Sequence, residues 1–297
     1  MRRQSAVVTL TVLAALVVPT AASATFPGGN GLIAFYEDQN GGIYTIHSDG
    51  THRKMLADGY DPAWSPNGKR IVFVADKGAD TEIFTMTAKG KDKRRLTDDK
   101  KSEWQPAFSP DGRRVVFNTG EMRDEFGPIY VMNANGKHRD KLVPFGGDSD
   151  WSVTTHSAKD GLIAYDTVYF GPTCSGIVEV LTVKPNGAGN TLRPFGCQQP
   201  FEPSWKPNGK GLAFGAYPPG ENSDIYVGSL QDDDTLERMT DSGGPSAGPA
   251  WSPQADQIVY DESLSGLWLV DPTAPLVETQ IPNTDDVDGA APTWQPK

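Results

Sequence analysis

Residues 62–73, PAWSPNGKRIVF, return along the chain in recognisable form, and no other feature narrows the fold as far. PAFSPDGRRVVF stands at 106–117, PSWKPNGKGLAF at 203–214 and PAWSPQADQIVY at 249–260. A degraded copy, SDWSVTTHSAKDGLIAY, covers 149–165, and a half-copy, PTWQPK, covers 292–297. Aligned on the aromatic residue, Trp64, Phe108, Trp151, Trp205, Trp251 and Trp294 follow one another at intervals of 44, 43, 54, 46 and 43 residues. A period of this size marks a propeller, a solenoid or an array of small units.

Each copy has a physical reading. The Trp or Phe closes a short apolar strand, Ser-Pro-Asn/Asp-Gly is turn chemistry, and Ile-Val-Phe is a β-branched, aromatic strand, so the copy is a hairpin. A third apolar run follows at 83–86, 129–132, 177–183, 225–227 and 267–270, and a fourth at 95–97, 141–143 and 238–240. Four strands per ~40–45 residues is the composition of a propeller blade. Gly31–Phe35 matches the second strand of the repeat with no first strand before it, and Pro292–Trp294 is a first strand with no second after it. Joined, they complete one more signature. The expectation is an all-β, six-bladed β-propeller whose closing blade takes its inner strand from the C-terminus and the rest from the N-terminus, which removes an open sheet edge. The six aromatic residues are expected to pack between neighbouring blades.

The N-terminus reads as an export signal: Arg2 and Arg3, an apolar run over 6–18, then Ala22 to Ala24 as small residues for cleavage. About 13 apolar residues fall short of the ~20 that cross a hydrocarbon core, so no transmembrane anchor is expected after cleavage. Residues 1–24 are assigned as signal peptide and 25–297 as one propeller domain, secreted or held in the cell envelope. Without Arg2 and Arg3, the 27 basic side chains fall to 25 against 38 acidic ones, which makes nucleic acid a poor partner. Cys174 and Cys197 are the only cysteines, and they flank a hairpin whose turn lies at 185–188. In an exported chain they are expected to form a disulfide, worth roughly 3 kcal/mol in the loop-entropy model.

The PxWSPDG-type signature, followed by a Gly-rich loop and a D/E-I-Y/F-x-M strand, resembles the TolB-like six-bladed propeller family. The resemblance is carried by 62–73 with 82–86, by 106–117 with 128–132 and by 203–214 with 224–227, and it extends over 26–297. It implies an envelope or secreted protein that binds other macromolecules without catalysing a reaction. Two departures stand out: no segment is left for the separate N-terminal α/β domain of TolB, and the copy around Trp151 lacks Ser-Pro-Asp-Gly. Cys-x-x-Cys, His-Glu-x-x-His and Gly-Lys-Ser/Thr motifs do not occur, and no hydrolase nucleophile elbow is expected. His47, His52 and His138 fall at turns and His156 in the degraded copy, so no repeated histidine site is formed.

In a propeller, residues just before each inner-strand aromatic line one mouth of the channel. Three positions before the aromatic stand Asp61, Gln105, Asp148, Glu202, Gly248 and Ala291, with Glu103, Asp150 and Asp288 close by. Oxygens gathered in this way suit a hard cation, Ca²⁺ being the one candidate, or the Lys and Arg side chains of a partner; acidic loops that cap their own backbone are the alternative. No organic cofactor is expected. The longest loops reach the same mouth and bring Phe126, Tyr169, Phe170 and Tyr217. Two functions follow. One is an exported, monomeric, non-catalytic scaffold for a protein, peptide or envelope polymer; the other is a lyase or hydrolase acting on a sugar or peptide, with Asp148 and Glu202 as an acid–base pair.

Overall fold

A computed structural model describes residues 26–37, 41–120, 126–153, 161–169, 177–193, 195, 199–218, 221–230, 236–241, 243–263, 265–287 and 291–297. Residues 1–25, with the expected signal peptide, and Phe170, Cys174, Cys197 and Asp288 lie outside the described residues, as do the side chains of Tyr169 and Ile177. All regular structure among the described residues is β.

The strands form four four-stranded sheets and one seven-stranded sheet. The large sheet is two blades fused by a single strand. Asp140–Trp151 pairs through Lys141 and Val143 with Gly127–Asn133, and further on, through Gly147 and Asp150, with Ile163–Tyr169. Its first half is the outer strand of one blade and its second half the inner strand of the next. With this strand counted in both blades, the ring has six.

Blade I comprises Tyr60–Trp64, Arg70–Lys77, Asp80–Thr87 and Arg94–Arg95; blade II comprises Ser102–Phe108, Arg114–Gly120, Gly127–Asn133 and the start of the long strand. Blade III takes the end of that strand with Ile163–Tyr169, Ile177–Val183 and Thr191–Arg193. Blade IV is Phe201–Trp205, Gly211–Ala216, Asp224–Ser229 and Leu236–Arg238, and blade V is Ser246–Trp251, Ile258–Glu262, Gly266–Val270 and Glu278–Gln280. Blade VI closes the ring as expected: Thr293–Pro296 is the inner strand beside Asn30–Glu37, with Ile33 opposite Trp294, followed by Gly42–Ile46 and Lys54–Asp58.

Each signature aromatic fills the seam with the blade before it. Trp251 packs with Ala213, Ile225 and Met239 of blade IV, Trp205 with Ala164 and Val180 of blade III, and Trp64 with Ala34, Ile43 and Ala57 of blade VI. Trp64, Trp151, Trp205 and Trp251 have no exposed surface at all.

Two outer strands stop earlier than the apolar runs suggest, at Arg95 rather than position 97 and at Arg238 rather than 240. A threonine hydroxyl replaces the missing ladder bond. Ile83 N donates to Thr97 Oγ1 at 2.8 Å and Ile225 N to Thr240 Oγ1 at 2.9 Å, and in blade V Leu267 N donates to Thr284 Oγ1 at 3.1 Å. A buried amide needs an acceptor, and a side chain supplies it where the backbone has already turned away.

Candidate functional site: a carboxylate belt at one end of the channel

The six residues three positions before each aromatic share one conformation. Asp61 (φ 47°), Gln105 (52°), Asp148 (32°), Glu202 (52°), Gly248 (58°) and Ala291 (35°) are all left-handed. In blades I to V the ladder between the first two strands slips at this point, as between Tyr60 and Ala63 or Phe201 and Ser204. A bulge of this kind turns the backbone amide out of its own sheet and leaves it needing a partner.

The partner comes from the preceding blade. Gln105 N donates to Asp61 Oδ2 at 3.1 Å, Asp148 N to Gln105 Oε1 at 3.1 Å, Glu202 N to Asp166 Oδ2 at 3.3 Å and Gly248 N to Glu202 Oε2 at 2.6 Å. Gln105 Nε2 also donates to Asp148 Oδ1. The result is a belt of side-chain oxygens linking blades I to V around the end of the channel. A non-glycine residue in the left-handed region costs on the order of 1–3 kcal/mol, and these bonds offset that cost.

The belt is buried. Asp61 and Asp148 are 7% exposed, Glu202 1% and Gln105 not at all. Burial first, then the carboxyls of Asp166, Glu202 and Asp61 and a hydrogen bond with Asp166, push the Asp148 carboxyl well above the usual range. Asp148 therefore keeps its proton to a higher pH than a solvated aspartate would. Asp166, which the repeat did not single out, lies within the second strand of blade III, next after Tyr165, and stands opposite Gly147. Its register with the inner strand is the signal that could have found it.

Two of the expected channel residues do other work. Glu103 is drawn away from the belt to Arg139, whose Nη1 lies 3.0 Å from Glu103 Oε1 and also contacts Asp99. Arg139 sits over the rings of Phe117 and Tyr130, so Glu103 belongs to the body of blade II; burial raises it to about 8 against the pull of this guanidinium. Asp150 staples two blades: it accepts Trp151 N at 2.7 Å and Trp205 N at 2.6 Å, and burial raises it to about 7. Both are corrections to a mouth-lining role, and the cause is the same: each carboxylate has a donor within its own seam.

The described loop aromatics form two stacks at the belt end of the ring. Phe126 lies on Phe145 with centroids 5.5 Å apart, and Tyr217 lies on Phe201 at 5.1 Å. Phe145, also unanticipated, is 49% exposed.

Among the described residues no three His, Cys, Asp or Glu side chains are arranged to hold a metal ion. His47 and His52 meet edge to face at 5.1 Å on a surface turn. The Gly-x-Ser-x-Gly pattern does occur once, at 244–248, contrary to the expectation of no such string. Ser246 is fully buried at the start of the inner strand of blade V, and no helix follows it, so the strand-to-helix elbow that exposes a nucleophile is not formed.

Ring closure, seam-filling aromatics and an inner belt define the class: a β-propeller. Residues 35–169 match the TolB beta propeller domain, and the fold is that of a TolB-like β-propeller. No curated protein matches the sequence. Among solved structures, TolB from Acinetobacter baumannii superposes with a TM-score of 0.68 at 16% identity, over 90% of this chain and 67% of that one. The nidogen/laminin complex matches with a TM-score of 0.69 at 11% identity, over 89% and 98%. An oligogalacturonate lyase in complex with manganese matches at 0.56 and 11% identity, over 84% and 74%. At these identities the likeness is one of fold. No helix among the described residues is long and apolar enough to cross a membrane.

Proposed function

We propose that the protein is an exported, non-catalytic propeller that serves, as a monomer, as a binding scaffold for a protein in the cell envelope or outside the cell, with the belt end of the ring as its binding face. The observation that carries this reading is the pair of aromatic stacks at the belt end, each a ring outside the strands, Phe126 or Tyr217, laid on a strand ring, Phe145 or Phe201. Large rings with a polar surround are what protein interfaces use as anchors. Similarity to TolB and to a propeller in the nidogen/laminin complex agrees with a protein ligand. Export rests on the reading of residues 1–24 as a signal peptide.

A second reading, an enzyme acting on a sugar, is favoured by one observation: the hydrogen-bonded Asp148–Asp166 pair is a buried acid beside its base, on a fold shared with an oligogalacturonate lyase.

Capture from envelope extract, with the mature protein and a Phe126→Ala, Phe145→Ala, Tyr217→Ala variant side by side, tests the scaffold. A partner retained by the first and lost from the second, at unchanged melting temperature, supports it. Equal capture by both sinks it. Turnover of a glycan that disappears in Asp148→Asn would promote the enzyme.

A further inference from the structure

A cation covers the signature indole in two of the seams; between blades IV and V it is Lys206, 4.8 Å from the centroid of Trp251. In the seam between blades II and III, Arg114 reaches over the ring of Trp151, 4.9 Å from its centroid. The equivalent cation of blade I is Arg70: Arg70 and Arg114 each precede the residue, Ile71 or Val115, that pairs with their blade's aromatic. The ring that Arg70 should cover is Phe108, the only phenylalanine among the six signature aromatics. The smaller ring leaves space. Arg70 turns aside, its Nε donating to Thr85 Oγ1 at 3.1 Å, and a cavity of about 370 Å³ opens between the two blades on the face opposite the belt.

Its walls carry a separated pair of charges. Arg70 stands on the blade I side with Asn67, and Asp111 on the blade II side. Phe108, Pro66 and Pro110 form the apolar part between them. Asp111 Oδ1 accepts Ser109 Oγ at 2.6 Å and Arg113 N at 3.0 Å, and although burial works the other way, these bonds and the nearby charges of Arg114 and Arg113 hold the carboxyl below its ordinary range. Among the described residues neither Arg70 nor Asp111 makes a salt bridge, with each other or with any other group. One cation and one anion face the same space without pairing with each other.

We propose that this seam is a binding site for a small zwitterion with an apolar side chain, a free α-amino acid. Its carboxylate meets the Arg70 guanidinium, its ammonium meets Asp111, and its side chain lies against Phe108 and the two prolines. A plain anion would meet repulsion from Asp111 and a plain cation from Arg70, whereas a molecule with both charges is matched at each end. The volume lies in the range of small-ligand sites.

Isothermal titration of the mature protein with L-leucine and L-phenylalanine tests the site, with hydrocinnamate and phenethylamine as single-charge analogues. The expected result is saturable binding of the amino acids, with each analogue and each of the variants Arg70→Gln and Asp111→Asn at least about tenfold weaker. Phe108→Trp restores the ring present in the other five blades and should abolish binding while the protein stays folded. The charge variants are on the surface of the seam and keep the proposal testable if Phe108→Trp misfolds. No saturable binding of either amino acid at millimolar concentration, or hydrocinnamate binding as tightly as phenylalanine, overturns it.

Discussion

The two ends of each inner strand are held by different kinds of interaction. At the turn end, Ser-Pro-Asn/Asp-Gly bonds to itself: Asn67 Oδ1 accepts Ser65 Oγ at 2.9 Å and Lys69 N at 3.0 Å, and Asp111 repeats the pattern with Ser109 and Arg113. At the belt end the bonds run between blades, from residues about 40 to 50 positions apart, and the residue types vary from Asp to Gln to Gly. Local closure tolerates an error, because water can replace a lost partner on an exposed turn. The belt is buried, so an orphaned amide there costs its full desolvation.

The largest test of this contrast removes a whole inner strand. Deleting 291–297 takes Trp294, 1% exposed, out of blade VI and reopens the ring, and a Trp truncation alone costs about 3–5 kcal/mol. A fall in melting temperature of roughly 10 °C or more is expected. If the truncated protein melts within a degree or two of the full chain, the shared blade does not hold the ring together.

Next in size is Gln105→Ala, which strips an acceptor from Asp148 N and a donor from the Asp148 carboxyl. A loss of about 1–3 kcal/mol in denaturant unfolding is expected. Asn67→Ala, at the turn end, should cost no more than about 0.5–1 kcal/mol. Equal costs for the two would erase the distinction between the ends.

A pH series sharpens it further. Asp150 is raised to about 7 and Asp148 is raised in the same direction, so between about pH 4 and 7 the folded state binds protons that the unfolded chain has released. Their contribution is complete below about pH 4 and is lost as pH rises towards 7, so this protein should melt at a higher temperature at pH 5 than at pH 8. Asp150→Asn should flatten that slope. A melting temperature that climbs from pH 5 to pH 8 would show that these carboxyls ionise freely in the folded protein.

Much of the architecture could be read from the residues alone. The spacing of Trp64, Phe108, Trp151, Trp205, Trp251 and Trp294, together with the half-signatures at the two termini, was enough for the ring, its closure and the burial of its aromatics. These features are local and periodic: a turn needs its Asn-Gly, and a strand needs its apolar alternation, wherever they stand in the chain. The same reading picked out Asp61, Gln105, Asp148 and Glu202 by position, and took them as ligands of a mouth or as caps of their own backbone, not as acceptors for the next blade.

Only the tertiary structure decided what those side chains face. The left-handed bulge sends each amide towards the neighbouring blade, so the carboxylates are spent on backbone donors from far along the chain, and Asp166 joins them through strand register. Glu103 and Asp150 leave the channel because Arg139 and the Trp205 amide reach them first. The cavity at Phe108 is likewise a property of two blades meeting, created by an arginine that has no indole to cover. Repetition fixes the shape of one blade; the partners of a buried charge are fixed by which blades are packed side by side.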